Sequence, residues 1–402
     1  MSSTARAIAF YLPQFHPIPE NSDWWGEGFT EWTNVRQATP LFAGHYQPRV
    51  PVELGYYDLR SPETREAQAE LARSHGLEGF CYWHYWFAGR RLLERPFNEV
   101  LESGRPDFPF CLAWANHSWT AAWIGRPWEL LVDQTYPGRS DYENHFNAVR
   151  KAFADDRYIT VDGKPLFIVF RPDKLPNALE FTDCWRELAL EAGFKGLHLL
   201  GILNADADPK RFGLDGGVHK GIGHLLSFLP PAIRRKVEAR RRSQALLERP
   251  GLALVHQAIA RASRPSLPRP LDRLHDRLTG RLLLPLVSSY EELVESAYRE
   301  LRVSDDYFPC VVPNWDNTPR MGRWGLVFHE SSPELFASHL RHAIELIAHR
   351  PSDKRLVFLK SWNEWAEGNH LEPDEHHGRG YLDAAKRELL LSTIHTQHEI
   401  GV

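Results

Sequence analysis

Two glutamates three residues apart, Glu364 and Glu367, stand in the run Ser361-Trp362-Asn363-Glu364-Trp365-Ala366-Glu367-Gly368-Asn369-His370-Leu371-Glu372-Pro373. Paired carboxylates are the usual equipment for cleaving a glycosidic bond, one protonating the departing oxygen and the other acting as nucleophile or base. The flanking indoles of Trp362 and Trp365 offer surroundings in which desolvation raises a carboxyl pKa and keeps one acid protonated. On a straight strand a three-residue separation sends two side chains to opposite faces, so the pair converges only if the chain curls after Glu364. Gly368 permits that curl. The non-catalytic alternative is a glutamate that caps a loop or pairs with an arginine.

Tryptophan points the same way. The chain holds 14, and eleven fall in five short segments: Trp24, Trp25 and Trp32; Trp83 and Trp86; Trp114, Trp119 and Trp123; Trp315; Trp362 and Trp365. Indoles gathered beside polar residues make apolar platforms with a hydrogen-bonding edge, on which sugar rings stack. Large rings filling a large core are the alternative.

The elements that must position these residues are legible as eight short apolar runs: Ala7–Leu12, Gly79–Tyr85, Phe110–Ala115, Leu166–Phe170, Leu197–Leu203, Leu214–Val218, Phe308–Pro313 and Leu356–Ser361. Between several lie stretches of helical period, Pro62–His75, Tyr142–Ala154, Ala178–Ala192 and Pro333–His349, two of them opening on Ser-Pro. Strands apolar on both faces that alternate with helices predict an α/β fold with a parallel sheet under helical cover, and eight repeats predict a closed (β/α)8 TIM barrel. The doubly wound open sheet is the competitor. The 204–213 gap is too short for a full helix, whereas the gap between the sixth and seventh runs is long. We therefore expect one (β/α)8 domain over 1–402, with a helical insertion over 220–290.

In a parallel barrel the chemistry sits at the C-terminal ends of the strands. The expected mouth then gathers Tyr11, Gln14 and His16 after strand one, with Glu31 and Trp32 from the long first loop. It also takes Tyr82, Trp83, His84 and Tyr85 from strand two, Trp114 and Asn116 from strand three, and Asn314, Trp315, Asp316 and Arg320 after strand seven. Glu364 and Glu367, with Trp362, Asn363 and Trp365, complete it after strand eight.

Composition bounds the rest. With 43% hydrophobic and 25% charged residues over 402 positions, the chain is an ordinary globular one, long enough to bury roughly three quarters of its unfolded surface. Four scattered cysteines without CxxC spacing argue against a disulfide scaffold and a structural zinc site. The opening residues leave no room for the apolar core of a secretory signal, and no window of about 18 residues is apolar enough to span a membrane, so the expectation is cytoplasmic. The stretch 220–281 carries 14 basic against 4 acidic residues, near +10 while the remainder is near −14. Its block of Arg234, Arg235, Lys236, Arg240, Arg241 and Arg242 reads either as a docking surface for an anionic lipid-linked glycan, acidic glycan or membrane, or as a solvated cover. A net charge of −4 and the lack of a recognised motif disfavour nucleic acid.

The sequence resembles the glycoside hydrolase family 99-like proteins, which include the WbsX group of polysaccharide-biosynthesis proteins. The resemblance rests on Ala9-Phe10-Tyr11-Leu12-Pro13-Gln14-Phe15-His16-Pro17, on the run from Trp24 to Val35, on Gly79-Phe80-Cys81-Tyr82-Trp83-His84-Tyr85-Trp86, on Trp114-Ala115-Asn116 and Lys164-Pro165, on Trp315-Asp316-Asn317-Thr318-Pro319-Arg320, and on the run from Trp362 to Pro373. It implies a (β/α)8 barrel acting on α-linked, mannose-like sugars without a cofactor. It further implies that Glu364 deprotonates the sugar 2-hydroxyl, which attacks the anomeric carbon to give a 1,2-anhydro sugar, and that Glu367 is the acid to the leaving group and then the base to the acceptor. Ala366 stands where the hydrolases commonly carry histidine, and the opening motifs match the biosynthetic group better, so cleavage and transfer both remain open.

Two further signals are weaker. Asp206-Ala207-Asp208 has the DxD form by which nucleotide-sugar glycosyltransferases hold a metal, but no glycine-rich phosphate loop accompanies it. The tail His370, Glu372, Asp374, Glu375, His376 and His377 is rich in ligand types yet lacks zinc-site spacing, and reads as a flexible polar loop. No metal site is therefore expected. A metal-dependent nucleotide-sugar glycosyltransferase of O-antigen or polysaccharide biosynthesis is the second reading, and a glycan-binding protein without turnover is the third.

Overall fold

The computed structural model describes residues 5–121, 126–227, 229–238, 284–300 and 304–398. Eight strands form its centre: β1 (Arg6–Tyr11), β2 (Gly79–Phe87), β3 (Phe110–Trp114), β4 (Lys164–Val169), β5 (His198–Leu203), β6 (Gly216–His219), β7 (Tyr307–Phe308 and Cys310–Val311) and β8 (Leu356–Leu359). Each pairs in parallel with the next, and β8 returns to β1 with Val357 opposite Ala7. Pro309 splits β7, because proline has no N–H to give to a ladder. Its carbonyl still accepts from the Phe358 amide at 2.9 Å, so the first half of β7 pairs with β6 and the second with β8. The ring closes through this strand. That is the barrel expected from eight runs, and it excludes the open sheet.

Strand residues are buried on both faces, which is why they read as unbroken apolar runs. Side chains pointing inward include Phe10, stacked on Trp83 at 4.9 Å and near Phe358 at 5.7 Å. Helices Pro62–Ser74, Arg95–Ser103, Arg139–Phe153, Ala178–Glu191, Pro333–Ile347 and Gly380–His398 cover the outside. Ser61 and Ser332 cap two of them, accepting from the Thr64 and Leu335 amides, and a proline follows each serine at the first helical position. Between β5 and β6 the short gap holds only a 3₁₀ turn, Pro209–Phe212, capped by Asp208.

Between β6 and β7 the described flanks are helical, Ile222–Ser227 and Tyr290–Glu300, and share a small core around Leu225, Tyr290, Leu293 and Phe328. Arg234, Arg235 and Lys236 lie in a helical segment at 231–238. Residues 239–283, with Arg240, Arg241 and Arg242, lie outside the described residues, and so does most of the docking surface expected there. Among the described residues no helix is long and apolar enough to cross a membrane.

Candidate active site

The chain after β8 makes a miniature hairpin. Asn363–Glu364 pairs antiparallel with Asn369–His370, and the 3₁₀ turn Trp365–Glu367 joins them. In a 3₁₀ turn side chains three apart eclipse, so Glu364 and Glu367 come to one side. Gly368 closes the turn at φ +57°, a left-handed conformation that glycine adopts without strain. Ser361 pins the base of the hairpin, its hydroxyl donating to the Asn369 carbonyl (2.7 Å) and accepting from the Glu364 amide (2.9 Å).

Both glutamates line a cavity of about 320 Å³ at the C-terminal mouth of the barrel. Trp83 and Tyr85 from β2, Phe170 after β4 and Lys360 after β8 form its floor, and Gln14 and Arg320 reach it from the loops after β1 and β7. Trp24 and Trp25, from the helix Pro19–Trp25, face Trp119 of the hairpin after β3, with Trp24 and Trp119 edge to face at 6.0 Å. These indoles are half-buried, each keeping part of its surface exposed at the cavity. Asn21 also lines the cavity with both side-chain polar atoms unpartnered.

The charges are arranged asymmetrically. Lys360 Nζ lies 3.6 Å from Glu364 Oε1 and 5.5 Å above the Trp83 ring. Arg320 spans two acids, with Nη1 2.6 Å from Glu367 Oε1, and Nη2 3.0 Å and Nε 3.1 Å from Glu31 Oε2. Burial alone would raise Glu364, but the Lys360 ammonium, a hydrogen bond from Glu367 and the charge of Arg320 hold it below the usual carboxylate range. Burial pushes Glu367 up, and the negative charge on Glu364 adds to this more than Arg320 takes away. Glu31 is also raised by its burial. Three acids facing two cations in a desolvated cluster are neutral when they share one proton, and Glu367 is where that proton rests.

Of the residues expected at the mouth, Gln14, Trp83, Tyr85, Arg320, Glu364 and Glu367 line the cavity. Asn314 and Asp316 line a separate one, and the others are placed elsewhere by strand phase and by hydrogen bonding. Alternation along β2 turns Trp83 and Tyr85 inward and Tyr82 and His84 outward. Tyr82 packs on Phe97 of the covering helix, and His84 shares a ring-nitrogen hydrogen bond (2.9 Å) with His145. Tyr11 likewise faces out and donates to Gln68 at 2.7 Å, and Trp114 packs among His145 and Phe181. Asn116 holds the Arg171 backbone, accepting from its amide and donating to its carbonyl, and Asn363 does the same for Leu12. His16 bonds through Nδ1 to the Pro13 carbonyl.

Four tryptophans serve packing. Trp32 donates to the Tyr57 carbonyl, Trp315 lies in the small core beside Phe328, and Trp362 packs on Phe80. Trp365 stacks on His370 at 3.7 Å and donates to Glu372. Asp316 is held by His45, Gln47 and Thr318. Glu31 is fully buried, its carboxylate reaching Arg320 and its amide donating to the Gln14 carbonyl.

The tail is not the flexible loop expected. His370, Glu372 and Asp374 are buried, and Glu372 accepts from Tyr57, Gln68 and Trp365 at 2.6–2.8 Å. Three donors, two of them from distant segments, make burial of this carboxyl possible. Asp206 and Asp208 are exposed, and neither lines the cavity. Among the described residues no cluster of three or more ligand-type side chains could hold a metal. Lys360, Asn21 and Trp119 were not among the expected site residues. Lys360 had a signal, standing at the end of the last strand four residues before Glu364.

A family model described as "Glycosyltransferase WbsX" matches residues 7–385. The uncharacterized protein WxcX from two strains of Xanthomonas campestris pv. campestris is 35% and 36% identical over 389 residues, 96% of this chain and 50% of the relative. The chain thus spans about half the length of those relatives. Among solved structures, a glycoside hydrolase-like protein superposes with a TM-score of 0.54 at 14% identity, over 96% of this chain and 94% of the other. The GH99 endo-alpha-mannosidase from Bacteroides thetaiotaomicron, in complex with BIS-TRIS-propane, superposes with a TM-score of 0.52 at 12% identity over the whole of both chains. At such identities the likeness is one of fold.

Proposed function

The chain belongs to the WbsX glycosyltransferase family, and from that membership and the paired carboxylates we propose a carbohydrate-active enzyme. It cleaves or transfers α-linked, mannose-like glycosyl units of a surface polysaccharide or its precursor, with retention of configuration. Ionised Glu364 takes the proton of the sugar 2-hydroxyl as O2 bonds to C1. The bond from C1 to the leaving oxygen breaks, and Glu367 gives that oxygen its proton. The acceptor, water or a sugar hydroxyl, then attacks C1 of the 1,2-anhydro sugar. Its proton passes to Glu367, and Glu364 returns its own to O2. A neighbouring hydroxyl already held in place is an entropically cheap nucleophile.

One observation carries this reading: two carboxyls on one wall of an indole-lined cavity, one held ionised by Lys360 and the other held protonated by burial and by its neighbour. Arg320 against Glu367 is the feature that most resembles a structural ion pair. Its charge is divided with Glu31, and Glu367 Oε2 remains to carry the proton.

The test uses aryl and alkyl α-mannosides. Glu364→Gln abolishes turnover of both. Glu367→Gln loses far more with the alkyl substrate, whose poor leaving group needs the acid, and azide restores turnover of the aryl substrate as the retained α-glycosyl azide. Normal turnover in both variants, with sugar binding intact, would reject the assignment.

A further inference from the structure

On the far side of the wall that carries Glu367 lies a second cavity, of about 160 Å³, walled by three loops. Gly44, His45, Tyr46 and Arg49 come from the loop after β1, Asn314 and the segment 327–331 follow β7, and His376 and His377 follow β8. Arg49 is only 4% exposed, its Nε has no hydrogen-bond partner, and among the described residues it makes no ion pair. The Tyr46 ring lies 5.1 Å from the guanidinium carbon. Asp316 is near enough for Arg49 to lower its pKa but does not bond to it, so a buried guanidinium nitrogen is left without an acceptor, which is costly.

Three carboxylates lie nearby. Asp316 accepts from His45, Gln47 and Thr318. Asp374 Oδ1 accepts from the His376 and His377 amides, whereas its buried Oδ2 has no hydrogen-bond partner and lies 3.7 Å from His370 Nε2. Glu330, its side chain 79% exposed, stands at the rim with Oε1 3.8 Å from His329 Nε2. His45 is also engaged at both ring nitrogens, Nδ1 accepting from the Leu41 amide and Nε2 donating to Asp316. What remains facing the space is rich in donors: the Arg49 guanidinium, the imidazoles of His329, His376 and His377, and the Asn314 amide nitrogen, whose oxygen is taken by the Trp315 amide.

We propose that this cavity is a binding site for a phosphoryl group, held by Arg49 with His329, His376, His377 and Asn314 around it. Donors arriving from three loops suit a tetrahedral oxyanion better than a planar carboxylate, and the loops after the seventh and eighth strands are a recurrent phosphate seat in (β/α)8 barrels. The site also touches the glutamate turn. A Cβ on Gly368 would meet Arg49 Nε at 2.9 Å and Asp316 Cβ at 2.8 Å, so an anion that fixes Arg49 also fixes the turn that presents Glu367. The phosphoryl group belongs either to a phosphorylated sugar or to free phosphate.

Titration calorimetry on the full chain at low salt, with inorganic phosphate, mannose 1-phosphate and chloride, decides this without any turnover. Saturable one-to-one binding of phosphate over chloride is expected. Tighter binding of the sugar phosphate assigns the phosphorylated sugar as the source, and equal binding assigns free phosphate. Arg49→Met should weaken binding by about tenfold or more. Because that variant also removes a countercharge for Asp316 and Asp374, exposed His376→Ala provides a second reading, with binding weakened by about threefold and Tm unchanged. Heats indistinguishable from chloride, binding that survives both substitutions, or binding lost instead in Lys360→Met would overturn the proposal. Arg49 would then be no more than the countercharge of the two aspartates.

Discussion

Replacing Lys360 by methionine tests what makes the two glutamates unequal. The ammonium lies 3.6 Å from Glu364 with the two side chains 19% and 7% exposed. At an effective dielectric constant of about 20 the attraction is roughly 4–5 kcal/mol, and solvent at the cavity mouth brings it to about half. At about 1.4 kcal/mol per pKa unit, losing it raises Glu364 by roughly 1–3 units. Methionine keeps the apolar contact with the Trp83 ring. The proposed reaction needs Glu364 ionised, and a carboxyl held low by a cation ionises at lower pH. Removing the cation therefore moves the acid limb of the kcat/KM profile to higher pH by that same amount, while activity near pH 7 falls far less. The assay is kcat/KM for an aryl α-mannoside from pH 3.5 to 9 in both proteins. An acid limb that stays in place, or a loss equally large at every pH, would refute the reasoning and make Lys360 a substrate contact.

The raised Glu367 makes stability depend on pH. Its folded pKa lies above the unfolded value, so its contribution is complete below about pH 4.3 and is lost as pH rises through the folded pKa. Glu367→Gln lacks that loss, and its Tm should match wild type at acid pH and exceed it by about 1–3 °C at pH 8, read by thermal scans. Glu31→Gln leaves Arg320 wholly to Glu367, lowering that acid, so the alkaline limb of the kcat/KM profile should move to lower pH. Trp119→Ala removes one side of the indole cleft and should raise KM for an oligosaccharide about tenfold, with kcat for a small aryl glycoside within about twofold of wild type. Glu372→Ala strands three buried donors and should cost roughly 3 kcal/mol or more in urea unfolding.

The barrel was readable because its strands are buried on both faces, which leaves apolar runs that no amphipathic helix imitates. The glutamate turn was half readable: Gly368 announced a bend, though not that a 3₁₀ turn would eclipse residues three apart. Strand phase was hidden where it mattered most. In Tyr82-Trp83-His84-Tyr85 every residue is aromatic, so composition gives no sign that Trp83 and Tyr85 face the cavity of the two glutamates while Tyr82 and His84 face helices. Asn116 and Asn363 misled for a chemical reason, because an amide that suits a sugar hydroxyl pair suits a peptide group equally well, and both are used to pin loops. Glu372 is buried by Tyr57, Gln68 and Trp365, and the first two lie hundreds of positions away, beyond the reach of local pattern.

For the proposed general acid an arginine neighbour would ordinarily be self-defeating, because a guanidinium at 2.6 Å favours the carboxylate. Here the loops after β1, β7 and β8 each bring one part of a cluster whose proton count is set as a whole. Glu31 draws two of the Arg320 N–H groups at 3.0 and 3.1 Å and is itself buried. The cation therefore cannot neutralise both acids it touches, and Lys360 is committed to Glu364. Desolvation forbids an uncompensated charge, so the remaining proton goes to the acid with the least cationic support for its anion. Arg320 then orients Glu367 through Oε1 without discharging it, which gives one arginine the task of aiming an acid that a second glutamate keeps loaded.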